Sequence, residues 1–214
     1  MIKLDILSDP ICPWCFIGKA RLDRALEACP APPFEIEWHP FRLNPDMPPG
    51  GMDRRIYLER KFGSRQAAAK AYAEIDRAAR ESGIEIDFAA IRRTPDTLDA
   101  HRLIHWAGIE RCQGAVVDLL FRAYFLEGRD IGEKEVLEDI AARAGMAPEP
   151  IGRLLAGDAD RQEILEREKR ARAMGVRAVP TFIVGGRSVV PGARETAFWE
   201  EVIGELRSAQ ARNG

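Results

Sequence analysis

The sequence predicts an α/β fold in which a small strand-and-helix unit is split by a large all-helical insertion. Three observations carry this. Residues 2–7 and 34–41 read as strands on either side of a helical pattern, which makes a β-α-β unit. From residue 54 to residue 174 the periodicity is helical almost throughout. Strand character then returns around Gly185-Gly186, a two-residue hairpin signal, and a last helix closes the chain.

The elements follow in order. Ile2 to Leu7 alternates and is rich in Ile and Leu, and Ser8-Asp9-Pro10 ends it. A helix is predicted from Pro13 to Ala28, with proline tolerated at its start. Leu22, Ala25, Leu26 and Cys29 recur at i, i+3, i+4 and i+7 and give it one apolar face. Pro30 to Pro33 break it. Phe34 to Phe41 is the second strand, with Phe34, Ile36 and Trp38 on one face. A β-α-β connection makes these two strands parallel.

Arg42 to Gly51 is a loop rich in Pro and Gly. Helices are predicted over 54–62 and 65–82, the second with Ser64 as N-cap and Gly83 as stop. Ile84 to Phe88 reads as briefly extended. Further helices span 96 or 97 to 107, 115–126, 134–144, 149–155 and 161–174. Val116, Val117, Leu120, Phe121, Tyr124 and Phe125 form a broad apolar face that must pack, either in a core or in a homodimer. Glu163 to Arg172 reads as a solvated face laced with i, i+4 pairs. Strands over 180–184 and 187–190 flank the glycine pair, and the last helix runs over 195–209.

Cys12-Pro13-Trp14-Cys15 lies where the first strand gives way to the first helix. A cysteine at a helix N-terminus faces free backbone N–H groups and the positive end of the helix dipole, which favour its thiolate. A second cysteine one turn on attacks the mixed disulfide that the first has formed. Cys12, nearer the helix start and expected to be more exposed, is thus the nucleophile, and Cys15 resolves. Pro13 removes one N–H from the thiolate's surroundings, and Trp14 offers a flat apolar contact for substrate. The motif alone sets no redox direction, because such pairs span about -270 to -120 mV. With the insertion set aside, the order β-α-β … β-β-α is a thioredoxin-like fold with the cysteines at the front of its first helix. Residues 1–50 and 175–214 form that discontinuous domain, and 51–174 the helical insertion domain.

The second half of the site is expected at Val179-Pro180-Thr181, which opens the later hairpin. Proline lacks an N–H and belongs at a strand start or edge. In a thioredoxin-like fold this position faces the two cysteines and the proline is cis. That leaves the backbone of Val179 free to pair with an extended peptide beside the nucleophilic sulfur.

Together these residues resemble the DsbA-family thiol–disulfide oxidoreductases of the FrnE-like group, relatives of the 2-hydroxychromene-2-carboxylate isomerase-like proteins. The resemblance runs from Ser8-Asp9-Pro10-Ile11-Cys12-Pro13-Trp14-Cys15-Phe16-Ile17-Gly18 through Trp38-His39-Pro40-Phe41 and Leu43-Asn44-Pro45. It continues in Thr97, Ala100-His101-Arg102-Leu103, Gly175-Val176 and Val179-Pro180-Thr181-Phe182, and so covers essentially the whole chain. It implies dithiol–disulfide chemistry at Cys12 and Cys15. It departs from the group at Asp96, where Asn is usual, at Ala178, often Gly, and at Pro191-Gly192-Ala193-Arg194, where Ser-Gly-Ala-Gln is usual. These bear on the substrate cleft and not on the dithiol.

Several other residues carry weaker signals. His39 borders the cleft at the end of the second strand and either relays a proton to Cys15 or hydrogen-bonds a loop carbonyl, the second being preferred. His101 is expected to face the cleft from the helical block, and Arg102 to be solvated or ion-paired. Glu35 and Glu37 are exposed by default. Cys29 and Cys112 are small core hydrophobes. A zinc site would need four ligands, whereas the chain has one CxxC. His101 and His105 lie at i, i+4, but Arg102 stands where a metalloprotease helix has glutamate. No metal is therefore expected.

No cofactor is expected beyond the cysteine pair, with glutathione as a candidate co-substrate. The partners are a disulfide-containing protein or small thiol, and an electron donor such as glutathione or a thioredoxin-like reductant. A net charge of -2 leaves no basic stripe for nucleic acid, and no apolar run approaches the roughly 20 residues that span a bilayer. The N-terminus has no apolar run of signal-peptide length, which points to a cytoplasmic reductase or isomerase. A glutathione-dependent isomerase or transferase of a small aromatic substrate is the alternative. Relatives of that kind hold glutathione with Ser or a lone polar residue, whereas this chain has a full dithiol. A non-catalytic binding domain would leave the dithiol without a use.

Overall fold

The computed structural model describes residues 1–213, and Gly214, the end of the second expected segment, lies outside them. Strand β1 (Ile2–Ser8) runs parallel to β2 (Phe34–Pro40), and α1 (Pro13–Glu27) joins them. The register sets Ile2 beside Phe34 and Ile6 beside Trp38. After the insertion, β5 (Thr181–Val184) pairs antiparallel with β1, β6 (Ser188–Pro191) pairs antiparallel with β5, and α9 (Thr196–Asn213) follows. Among the described residues the main sheet has the order β2-β1-β5-β6. The hairpin turns on Gly185 (φ 60°) and Gly186 (φ 68°), both in the left-handed region that a two-residue turn of this kind demands.

Between β2 and β5 come β3 (Met52–Asp53), α2 (Arg54–Phe62), α3 (Arg65–Glu81) and β4 (Arg93–Thr94). Helices α4 (Leu98–Ile109), α5 (Gln113–Phe125), α6 (Lys134–Arg143), α7 (Pro148–Ala156) and α8 (Arg161–Ala173) follow. Ser64 caps α3 as expected, its hydroxyl accepting the Ala67 N–H at 3.1 Å. None of the described helices is long and apolar enough to cross a membrane.

The structure refines the sequence reading in three places. Ile84 to Phe88, expected to be briefly extended, pairs with no strand among the described residues, and Ile84 and Ile86 are buried. The extended pair of the insertion is β3 with β4, two residues each and too short to leave a periodic pattern. The face Glu163 to Arg172 is only partly solvated. Glu168 is 4% exposed and sits between Arg42 Nε at 2.8 Å and Arg172 Nη2 at 2.7 Å.

The apolar face of α5 packs within the chain, with Val116, Leu120, Phe121, Tyr124 and Phe125 fully covered. Phe16, the residue after Cys15, stacks on Phe121 and Phe125 at 5.2 and 5.7 Å. The helix that carries the cysteines is thereby fixed to the insertion. Phe182 of β5, which lies against Gly18 of α1, meets Trp199 of α9 edge-on at 4.8 Å. Arg102 is ion-paired, as one of its two readings had it, but fully buried. It bonds Asp99 at 2.8 Å and the carbonyls of Leu154, Gly157 and Ala159 at 2.6 to 2.8 Å. The open edge of β2 is blocked by Gln113, whose amide accepts the Trp38 N–H at 2.8 Å and donates to the Trp38 carbonyl at 3.2 Å.

Candidate active site

Cys12 is the N-cap of α1, with extended backbone (φ -88°, ψ 113°), and Pro13 takes the first helical position. The Cys15 and Phe16 N–H groups both bond to the Cys12 carbonyl, at 3.0 and 3.2 Å. This turn sets the two thiols on one end of the helix, and they are not bonded to each other. Cys12 was expected to be the more open of the two. Both are covered, at 3% and 1% exposure, because the Val179–Pro180 segment closes over the helix start. Pro13 and Trp14 are half-buried beside them.

The Cys12 thiol donates to the Val179 carbonyl at 3.6 Å, and the Val179–Pro180 peptide bond is cis. Thr181 holds the turn by donating its hydroxyl to the Ala178 carbonyl at 2.8 Å. Gly18 allows the approach: a Cβ there would lie 3.2 Å from Pro180 Cγ and 3.4 Å from the Ala193 Cα. Thus Cys12, Cys15, Val179, Pro180 and Thr181 come together as expected.

Cys15 is pushed well above the ordinary thiol range, first by burial, then by the hydrogen bond and charge of Cys12. Its proton therefore stays on at neutral pH, which suits Cys15 to wait while the other sulfur attacks first.

Asp9, in the sequence only part of the stretch that ends the first strand, belongs to the site. It is fully buried behind the cysteine turn. One carboxylate oxygen accepts the Leu43 N–H at 2.7 Å and the other the Ile11 N–H at 3.4 Å. Burial raises its pKa to about 6 against these donors. The tether joins the loop before Cys12 to the loop after β2. His101 Nε2 lies 3.9 Å from Asp9 Oδ1 and has no hydrogen-bond partner among the described residues. Burial, with the charges of Arg42 and Arg167, lowers His101 to about 3, so it is neutral. It faces the inner side of this loop from α4.

His39 is placed in a polar cluster on β2. Its Nε2 pairs with Asp5 Oδ1 at 2.7 Å, and its Nδ1 accepts from Arg167 at 2.8 Å. Neither of its expected partners, a loop carbonyl or Cys15, is among these bonds. Glu37 joins the cluster through Arg167 at 2.9 Å and Lys3 at 2.8 Å, and Glu35 is exposed. Asp5, Glu37 and His39 converge as metal-type ligands do, but Lys3 and Arg167 already balance their charge. His101 and His105 do not converge: His105 Nδ1 meets Arg167 at 3.2 Å. Cys29 is 9% exposed and accepts from Arg207 at 3.6 Å, while Cys112 is half-buried at the start of α5.

A cavity of about 520 Å³ beside the loop after β2 is lined by Leu43, Asn44, Met47, Met52, Tyr57 and Lys61, among others. Lys61 donates to the Tyr57 hydroxyl at 2.8 Å, and Tyr57 donates to Asn44 Oδ1 at 3.2 Å. Asn44 Nδ2 is buried without a partner among the described residues. The Lys61 pKa is raised. Partial desolvation of its ammonium opposes the shift, and the Tyr57 bond together with nearby negative charge, including that of Cys12, outweighs it. Lys61 thus lies within electrostatic reach of Cys12. No motif marks it in the sequence, since a lone lysine on a charged helix has no distinguishing pattern.

Residues 3–204 match the DSBA-like thioredoxin domain. The uncharacterized protein YwbO of Bacillus subtilis is 28% identical over 211 residues, which is 95% of this chain and 96% of that one. The structure of the probable DsbA oxidoreductase SCO1869 from Streptomyces coelicolor superposes with a TM-score of 0.85 at 27% identity, covering 97% of this chain and 91% of that one. The cytosolic disulfide reductase DsbM of Pseudomonas aeruginosa, with GSH, shares the fold at a TM-score of 0.64 and 20% identity, covering 98% and 99% of the two chains.

Proposed function

The chain belongs to the DSBA-like thioredoxin domain family, and from that premise we propose that it is a disulfide reductase or isomerase working through Cys12 and Cys15. The observation that carries this is the Cys12 thiol at the N-cap of α1, 3.6 Å from the Val179 carbonyl, with Cys15 one turn deeper. The Cys12 thiolate attacks one sulfur of a substrate disulfide. A bond forms between Cys12 Sγ and that sulfur, and the other sulfur leaves as a thiolate. Cys15 then loses its proton to solvent and attacks Cys12 Sγ. The second substrate sulfur leaves as a thiolate, and a Cys12–Cys15 disulfide remains. The substrate has gained two electrons and the enzyme has lost two. A thiol donor such as glutathione or a thioredoxin-like reductant returns them.

In this reading the Val179 backbone pairs with an extended substrate strand and the half-buried Trp14 touches its side chains. Asn44 Nδ2 and Lys61 offer donors for a carboxylate on a small thiol. The proposal places this work in a reducing, cytoplasmic setting, with a disulfide-containing protein or small thiol as substrate. Reduction of insulin disulfides, with the potential of the Cys12–Cys15 couple measured against glutathione, tests it. Turnover of insulin and a couple near or below the glutathione potential are expected. A protein that reduces no disulfide, or a strongly oxidising couple, would overturn the reductase direction.

A further inference from the structure

The insertion contains a second cavity, of about 620 Å³, bounded by α2, α3 and the segment 88–92. Its lining includes none of the residues used in the reading above, neither the cysteines and the Val179–Pro180 segment nor Asn44, Tyr57 and Lys61, so it is independent of that reading. Its size suits a small organic molecule. Ala68 and Ile91 are buried in its wall, and Leu58 and Phe88 are half-buried, which gives an apolar floor. The exposed residues around it include Arg55, Arg65 and Arg92.

The charges are unbalanced. Arg54 is 7% exposed and donates to Tyr124 Oη at 3.0 Å and Tyr72 Oη at 2.8 Å. Its guanidinium also lies 5.4 Å from the centre of the Tyr72 ring. Among the described residues no carboxylate pairs with it. Burial raises the pKa of both phenols, so they remain neutral and supply no counter-charge. Arg55 and Arg92 likewise have no ion pair among the described residues. The cavity's two carboxylates are both engaged: Glu59 with Arg65 at 2.9 Å, and Asp53 with the Ile56 N–H at 3.1 Å as the α2 cap. A buried cation without an anion is costly, and here it borders a cavity with further free cations at its mouth.

We infer that this cavity binds a small aliphatic or aromatic carboxylate, its anionic end at Arg54, Arg55 and Arg92 and its apolar body on Ala68, Phe88 and Ile91. Titration calorimetry of the full chain with octanoate and with benzoate tests this, with 1-octanol as the uncharged control. Saturable one-to-one binding of at least one acid is expected, at least about tenfold tighter than octanol. The double variant Arg55→Gln/Arg92→Gln changes only exposed side chains and keeps the fold and the insulin-reducing activity. It is expected to weaken the acid at least about tenfold and to leave octanol unchanged. No saturable binding of either acid up to about 10 mM would overturn the inference. So would equal affinity in the double variant, or capture of an acidic peptide with neither acid bound.

Discussion

Cys12 Sγ and the Val179 carbonyl oxygen, 167 residues apart in sequence, meet at 3.6 Å. The pair joins the two strand-bearing ends of the chain where the N-terminus of α1 faces the start of β5. The thiol donates in the resting form. A Cys12 thiolate would have no proton to give, which would leave the carbonyl free to accept another donor, under the proposed function an N–H of the substrate.

Cys12→Ser is therefore expected to abolish insulin reduction while leaving the fold intact, since a hydroxyl fills the same N-cap and makes the same bond. Cys15→Ser is expected to keep the first attack and lose the second. The variant should accumulate mixed disulfides with substrate, visible as a mass increase that dithiothreitol removes. Full turnover in either variant would exclude the dithiol route.

Alkylation should separate the two sulfurs. Burial and the neighbouring Cys12 raise the Cys15 pKa, so its thiolate is scarce at neutral pH. Reduced protein treated with iodoacetamide at pH 7 is expected to carry its label within the motif on Cys12, with Cys15 protected until the chain is denatured. Peptide mass mapping reads this directly, and equal labelling would contradict the asymmetry.

Lys61 acts on Cys12 through charge rather than through contact. Lys61→Met is expected to slow Cys12 alkylation at fixed pH by roughly two- to fivefold at low salt. The difference should shrink as salt rises, because an exposed charge is screened. A rate insensitive to both the substitution and salt would place Lys61 outside the site's electrostatics.

The legible parts of the fold were those with local causes. Gly185-Gly186, Ser64 and the alternation of Ile2 to Leu7 each settle their own element within a few residues. The dithiol was legible for the same reason, as was its opposite strand start at Pro180. The illegible parts depend on distant partners. Glu168 is buried because Arg42, 126 residues earlier, meets it. Arg102 is buried because three carbonyls of the α7–α8 region turn toward it. His39 was read as a cleft residue, but the alternation that put Trp38 inward set His39 toward Asp5 and Arg167. Asp9 looked like a strand-ending turn residue, and only the Leu43 N–H shows that it is a tether.

Asp9 also makes the protein's stability depend on pH, with a sign opposite to that of a paired surface carboxylate. Its pKa is about 6 in the folded chain against 3.8 when unfolded, because burial penalises the charge more than the Leu43 and Ile11 donors favour it. Between those values the folded state holds the extra proton. The contribution is complete below about pH 4, falls as pH rises, and is gone above about pH 6. The gap of roughly two units corresponds to about 3 kcal/mol. Asp9→Asn cannot ionise and still accepts the Leu43 N–H through its amide oxygen. It loses the weaker Ile11 bond, for about 1 kcal/mol at low pH. Urea unfolding between pH 4 and pH 7 is expected to show a flatter profile for the variant, with the two curves crossing so that the variant is the more stable at pH 7. An unchanged slope would mean that Asp9 does not titrate in this range and that its tether carries the charge without cost.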